Sequence, residues 1–237
     1  MLQKTTLLLL CMGLAILSFG QHRPTCLTME QDMVRRLNHP ELGNLTDFED
    51  WLQDKICHTP TTQRASLITI PIVFHIVHDG ENLGMGHNLA QSQIQSQLDV
   101  LNEDFRRLPG TPGFNNDPVG ADIEIEFCLA TVAPDSSILA EPGIHRLDRN
   151  QEGWQAFPYN ASYIEQTVKV ASSWDPDAYF NVWVVELSGL DLGYAQWPDA
   201  SGLSGVPTGS CCANTDGVVI NFSNVGRNGS AIAPYDQ

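Results

Sequence analysis

The chain has 237 residues, a formal net charge of −16 at pH 7, and 42% hydrophobic and 8% aromatic residues. That acidity leaves no basic patch able to neutralise phosphates, which excludes nucleic-acid binding. No loop of regularly spaced acids marks an EF-hand-like calcium site, so the charge reads as solubility, and 19 glycines with 14 prolines indicate a loop-rich globular protein.

In chain order, Lys4 supplies a positively charged start and Leu7 to Leu17 an apolar run of signal-peptide length, with small residues at Ser18 and Gly20. The expectation is a signal peptide over 1–20, cleavage before Gln21, and a secreted product. The run is shorter than the roughly 20 apolar residues of a membrane span, so no membrane anchor is expected. Residues 21–66 read as a separate leading segment. Thr28-Met-Glu-Gln31 and Thr46-Asp-Phe-Glu49 each fit a capping box, predicting short helices near 29–38 and 47–56. The second carries Phe48, Trp51, Leu52 and Ile56 on one face. Thr59-Pro-Thr-Thr-Gln-Arg64 is polar and reads as an exposed linker.

The main domain, 67–237, opens with Leu67-Ile-Thr-Ile-Pro-Ile-Val-Phe-His-Ile-Val77, dense in β-branched residues and predicted as a buried strand. Ile94, Leu98, Leu101, Phe105 and Leu108 recur at helical spacing, predicting a helix over about 90–108 stopped by Pro109-Gly110. Alternating Ile123, Ile125, Phe127 and Leu129 predict a second strand, and 180–187, 192–197 and 217–222 three more. One helix against several strands is an α/β or α+β layer arrangement.

His75 and His78 are the closest histidine pair, but three apart on a strand they leave opposite faces and read as core and rim residues. His22, His39, His58, His87 and His145 show no i, i+4 pairing beside a glutamate, so no zinc-hydrolase signature is present. Gly205-Val-Pro-Thr-Gly-Ser210 is not a nucleophile elbow. Asn44, Asn160, Asn221 and Asn228 stand in Asn-x-Ser/Thr tripeptides and mark surface loops. Removing Cys11 with the signal leaves Cys26, Cys57, Cys128, Cys211 and Cys212 as disulfide candidates, and an odd number leaves one thiol over. Cys26 reads either as a disulfide partner, for instance of Cys57, or as a thiolate able to cap a catalytic zinc.

Ile70-Pro-Ile-Val-Phe-His-Ile-Val77 resembles the opening strand of the pappalysin family of metzincin zinc metallopeptidases, and Ser92 to Phe105 resembles that family's backing helix. Ile125 to Ala130, Gly143 to Arg146, Trp174 to Val184, Leu192 to Pro198, Thr215 to Ile220 and Ala233 to Asp236 match in order, so the resemblance covers 67–237. It implies a metzincin-like N-terminal subdomain: a twisted, mostly parallel sheet of about five strands with a backing helix. It also implies a zinc endopeptidase that hydrolyses peptide bonds with metal-activated water and is made latent. In the family a His-Glu-x-x-His-x-x-Gly-x-x-His helix follows Pro-Tyr-Asp, its histidines holding zinc and its glutamate acting as base. The sequence ends at Gln237, so catalytic residues and zinc ligands are expected beyond it, calcium ligands with them, and the chain as given is expected to be inactive.

Arg23-Pro-Thr-Cys26-Leu-Thr28 is similar to the family's propeptide motif, which implies Cys26 as latency-switch zinc ligand, although Leu27 stands where glycine is usual. Arg64 is the implied activation-cleavage position. The implied partners are protein or peptide substrates, with a late strand inside 192–222 as the edge that pairs with them. The competing reading is an exported, non-catalytic binding or decoy protein.

Overall fold

The structure is a computed structural model, and it describes residues 25–42, 44–58, 66–196 and 213–233. Its centre is a seven-stranded sheet: β1 (Thr25–Cys26), β2 (Ile68–His78), β3 (Ile125–Leu129), β4 (Ile144–Asp148), β5 (Phe180–Val185), β6 (Asp191–Ala195) and β7 (Val218–Asn221). The order is β1-β6-β7-β5-β2-β3, with β4 also on β2. Every pairing is parallel except β6 with β7. The helices are α1 (Thr28–Asn38), α2 (Leu45–His58), α3 (Gln91–Phe105), α4 (Ala161–Tyr163) and α5 (Lys169–Ser172), with a π-helical turn over Ile164–Val168 joining the last two.

β2 organises the sheet because it is apolar on both faces. Ile72, Val73, Phe74, Ile76 and Val77 are all buried, as expected of a central parallel strand covered on both sides. Ile72, Phe74 and Ile76 meet Ile94 and Leu98 of α3, whereas Val77 meets Trp154, Tyr159, Ile164 and Val168. β5 alternates likewise, Val182 and Val184 toward α3, Trp183 and Val185 toward the other layer. Each such aliphatic side chain contributes about 1.5–3 kcal/mol on burial. Pro71 is tolerated because it lies before the first β5 partner, Phe180 opposite Ile72, so its missing N–H breaks no ladder on that side.

The α3 stripe forms as predicted through Phe105, but Leu108 falls outside the helix and is 39% exposed. The chain turns at Arg107, which is left-handed at φ 46° and donates to the carbonyls of Gly120, Asn115 and Asp117. Two strands exceed the expected five. β4 has only Ile144 and Leu147 buried, too weak an alternation to read, and β1 is two residues long. The outer backbone of β3 is plugged by α3: Asn102 Oδ1 accepts from Phe127 N–H (2.7 Å) and Asn102 Nδ2 donates to Phe127 C=O (3.0 Å).

Both leading helices form, but their predicted caps do not. α1 begins at Thr28 itself with no side-chain cap, because the Thr28 hydroxyl bonds elsewhere. α2 begins at Leu45, and Asp47 Oδ2 accepts the Asn44 N–H (3.1 Å), so the reciprocal cap is set two residues ahead of the predicted one. Leu52 and Ile56 of α2 are exposed.

Candidate peptide-binding edge

The leading segment lies on the outer edge of the sheet. β6 pairs with β7 on one side only, through Gly193 opposite Ile220, Tyr194 opposite Val219 and Ala195 opposite Val218. Gly193 is required by proximity: a Cβ there would lie 2.4 Å from the Val219 carbonyl oxygen. The free side of β6 is filled by the front segment running parallel to it, Thr25 opposite Asp191 and Cys26 opposite Gly193. Thr25 N–H donates to Leu190 C=O (3.4 Å) and Leu27 N–H to Gly193 C=O (3.0 Å). Ala195 N–H donates to Thr28 Oγ1 (3.0 Å). The same Thr28 hydroxyl is hydrogen-bonded to Cys26 Sγ at 3.3 Å. Of the two late strands inside 192–222, β6 is therefore the outer one, and its backbone groups pair with the front segment.

α1 continues from this junction. Asp32 is buried at 6% exposure and holds Arg35 Nη2 and Arg36 Nε, each at 2.7 Å; Arg36 Nη1 reaches the Leu42 carbonyl at 3.0 Å. Between α1 and the body is a polar cleft of about 480 Å³, bounded by Arg35 and Asn38 on one side and Glu165, Tyr194 and Gln196 on the other. Beneath it sits the fully buried Lys169. Its ammonium lies 2.7 Å from Glu165 Oε1, donates to Thr215 C=O (3.0 Å), and stands 5.0 and 5.1 Å from the ring centroids of Trp183 and Tyr194. Tyr194 Oη donates to the same Glu165 oxygen (2.8 Å). Burial pushes the Lys169 ammonium down, and the Glu165 carboxylate pulls it back up.

The histidines are committed to structure. Asn181 Oδ1 accepts Trp174 N–H (3.0 Å) and is 2.8 Å from His75 Nε2, so that nitrogen carries a proton. His75 Nδ1 is then the acceptor of a proton from His145 Nδ1 at 2.9 Å. Burial pushes His75 down to about 3 and lowers His145 as well, keeping both neutral. His78 is a partly exposed rim residue, as its strand position implies. His87 bridges Glu81 (2.7 Å) and Glu186 (2.8 Å) between the rings of Phe157 and Phe222.

Cys26, Cys57 and Cys128 are free, exposed thiols on β1, α2 and β3, so the Cys26–Cys57 disulfide alternative is not formed. Arg64, Cys211 and Cys212, and the signal segment 1–20, lie outside the described residues. Among the described residues no group of three or more His, Cys, Asp or Glu could hold a metal ion. A zinc ion therefore does not fit the described side chains by themselves, which offer it the Cys26 sulfur and no converging partners. Among the same residues no helix is long and apolar enough to cross a membrane.

Sequence reasoning missed Lys169 and the Thr28 contact. A Glu165–Lys169 spacing of four was visible but sat in a stretch with no predicted element. The hydroxyl of Thr28 was assigned to a helix cap when it serves the neighbouring strand.

No protein-family model and no curated protein sequence matches the chain. Solved structures do. A mirolysin complex with a compound is 33% identical with a TM-score of 0.54, covering 73% of this chain and 59% of that one. Mature mirolysin of Tannerella forsythia in complex with a cleaved peptide is 30% identical with a TM-score of 0.53, covering 73% and 60%. A promirolysin variant from Tannerella forsythia is 31% identical with a TM-score of 0.61, covering 91% and 64%. The chain thus spans less than two thirds of the length of each of these relatives. Its mixed α/β architecture, with a mostly parallel sheet, matches theirs, and the chain's structural relatives are metallopeptidases of the pappalysin/metzincin type.

Proposed function

We propose that the chain is part of a secreted, zinc-dependent metalloendopeptidase made as a latent zymogen, in which residues 21–66 are the pro-segment and β6 is the edge that pairs with an extended peptide. The observation that carries this reading is the front segment lying along β6, where it takes up Leu190 C=O, Gly193 C=O and Ala195 N–H. An extended peptide adds to a sheet edge through such groups, so the two occupants compete. The comparison with promirolysin supports it: coverage of this chain rises from 73% to 91% when the relative retains its pro-region. Mature mirolysin is solved with a cleaved peptide, which favours peptides as substrates here.

In this reading Cys26 is the sulfur that caps zinc while the front segment is in place, and the remaining ligands and the general base lie outside the described residues. When bound, zinc supplies a Lewis acid and an activated water. The residues described here do the positioning: β6 offers backbone pairing, Gly193 lets β6 approach β7, and the front segment excludes competitors. Arg64 is the cleavage position that releases it.

The test is limited digestion of the purified chain with an arginine-directed protease. The expected result is a first cut at Arg64, loss of the front segment, and new binding of a synthetic peptide of residues 21–31 at β6, seen as renewed amide protection of Ala195. A cut chain that keeps its front segment, or one that ignores the peptide, overturns the pro-segment reading. For the metal, tight stoichiometric zinc in a Cys26→Ala chain would contradict the placement of the ligands.

A further inference from the structure

The edge strand has little to hold it. β6 is antiparallel to β7 over three residue pairs, and Leu190 just before it is exposed. A strand that must present its outer backbone to a partner cannot also be clamped from that side, so it has to be held from the sheet face. Tyr194 does this: it is the buried residue of β6 and the middle of its three pairs with β7, and its hydroxyl reaches Glu165 Oε1.

Glu165 lies in the π-helical turn Ile164–Val168, and Lys169 follows it directly. Such turns are rare and are found at functional sites more often than elsewhere in helices. This one keeps Ile164 and Val168 in the core while Glu165 Oε1 meets both the Tyr194 hydroxyl and the Lys169 ammonium. From Lys169 the chain of contacts passes to Thr215 C=O in the 3-10 turn ahead of β7, and Thr215 Oγ1 donates to Gln196 Oε1 (2.9 Å), just past the end of β6. The network therefore grips β6 at Tyr194 and just beyond its end, and joins both to the turn that precedes β7. A buried ammonium with one carboxylate is costly unless its partners are complete, and the price of that arrangement is avoided by most cores, which would use a Leu or Met here.

We propose that Lys169, Glu165 and Tyr194 form a strut that sets the position of the β6 edge, making them positioning residues for the extended segment that pairs there. The strut rests on the reading of β6 as the pairing edge. It adds the group that keeps the outer amide of Ala195 and carbonyl of Gly193 in register when the front segment is exchanged for a substrate.

The experiment is peptide-resolved amide hydrogen exchange on the full chain, comparing residues 193–195 and 25–28 with Ile72–Ile76 in the centre of the sheet. Lys169→Met leaves the part-buried Glu165 carboxylate without its cation. It is expected to speed exchange of 193–195 and 25–28 about tenfold or more, the size of a lost hydrogen bond to a charged group, with Ile72–Ile76 unchanged. Tyr194→Phe keeps the ring and loses one bond, for a smaller acceleration at the same residues. Lys169→Met/Glu165→Gln keeps a neutral acceptor for the Tyr194 hydroxyl without stranding a charge, and relative to Lys169→Met it is expected to restore most of the protection. A merely structural role would raise exchange equally at all sites, and that result overturns the strut, as does an unchanged edge in Tyr194→Phe. If Lys169→Met fails to fold, the neutral pair Lys169→Met/Glu165→Met decides. It removes the burial penalty while still depriving Tyr194 of its acceptor, so the edge is expected to loosen, and normal exchange there overturns the proposal. Neither zinc content nor hydrolysis enters, so a confirmed strut in a chain that still binds no peptide after the cut at Arg64 would sink the peptidase reading alone.

Discussion

Thr28→Val isolates the contact that joins the front segment to the edge strand. The substitution is close to isosteric and removes the acceptor for Ala195 N–H (3.0 Å) and the hydrogen-bond partner of Cys26 Sγ (3.3 Å). Of the remaining ties, Leu27 N–H to Gly193 C=O is short at 3.0 Å and Thr25 N–H to Leu190 C=O is long at 3.4 Å. Thr28 therefore accounts for one of the two good backbone ties. Losing a neutral hydrogen bond at a part-buried site costs about 1 kcal/mol, which lowers the ratio of docked to undocked front segment by about fivefold. Amide exchange resolved at Ala195 reads this directly, and thermolysin cleavage within residues 25–38 should rise by a similar factor. Thr28→Ser, which keeps the hydroxyl, should match the parent chain. Ala195 exchange within twofold of the parent in Thr28→Val, or Thr28→Ser behaving like Thr28→Val, would refute the assignment of docking energy to the hydroxyl.

Gly193→Ala places a methyl 2.4 Å from Val219 C=O and 3.2 Å from Ile220 Cα; backbone cannot yield there, so about 1–3 kcal/mol is lost and calorimetry should show Tm lower by several degrees. Acid should destabilise the chain well above the carboxylate range. His75 is pushed down to about 3 and His145 is lowered, both mainly by burial, so the unfolded chain binds protons that the folded chain refuses. The His75 stabilisation is complete above the ordinary histidine value of 6.5 and is lost as pH falls toward 3, at about 1.4 kcal/mol per pH unit, and His145 acts in the same direction; urea midpoints at pH 7 and 5 check this, and equal midpoints would contradict a neutral buried pair. Asn102→Ala unplugs Phe127 on the β3 edge and should raise concentration-dependent association in sedimentation experiments, while a strictly unchanged profile would show the edge needs no plug.

The parts of the fold legible in the sequence are those carried by strong periodicity. The apolar run Leu67 to Val77 predicts a buried strand, which forms as β2 but is fully buried only over Ile72–Val77, with Leu67 and Ile68 exposed at its start, and the α3 stripe survives through Phe105. β4 was illegible because Ile-His-Arg-Leu-Asp buries Ile144 and Leu147 only, its place beside β2 being a tertiary fact. The opposed faces of His75 and His78 were read correctly, but nothing local could announce that His75 would meet His145, seventy residues away. The edge site was half legible. The stretch 192–197 reads as a strand and forms as β6 over Asp191–Ala195, whereas its occupant meets it through hydrogen bonds from residues whose hydroxyl and backbone chemistry suits a helix cap equally well.

The two ends of the sheet show why β6 is the edge to watch. At β3 the outer backbone of Phe127 is satisfied from within the body, by Asn102 on a helix that packs on the same sheet. That protection is permanent, because α3 also buries Ile94 and Leu98 and cannot leave without unfolding the core. At β6 the outer groups are satisfied by residues 25–28, which belong to a segment whose α1 exposes Met29, Met33 and Leu37 and whose α2 exposes Leu52 and Ile56. A bare edge is a hazard that proteins suppress with built-in blockers. The chain follows that rule at one end and covers the other with a separate leading segment, whose residues 25–28 meet the β6 backbone through two short hydrogen bonds and one long one while Leu27 packs on the core. Protection of that kind suits an edge that is covered at one stage and used at another, and the strut beneath Tyr194 keeps such an edge in place during the exchange.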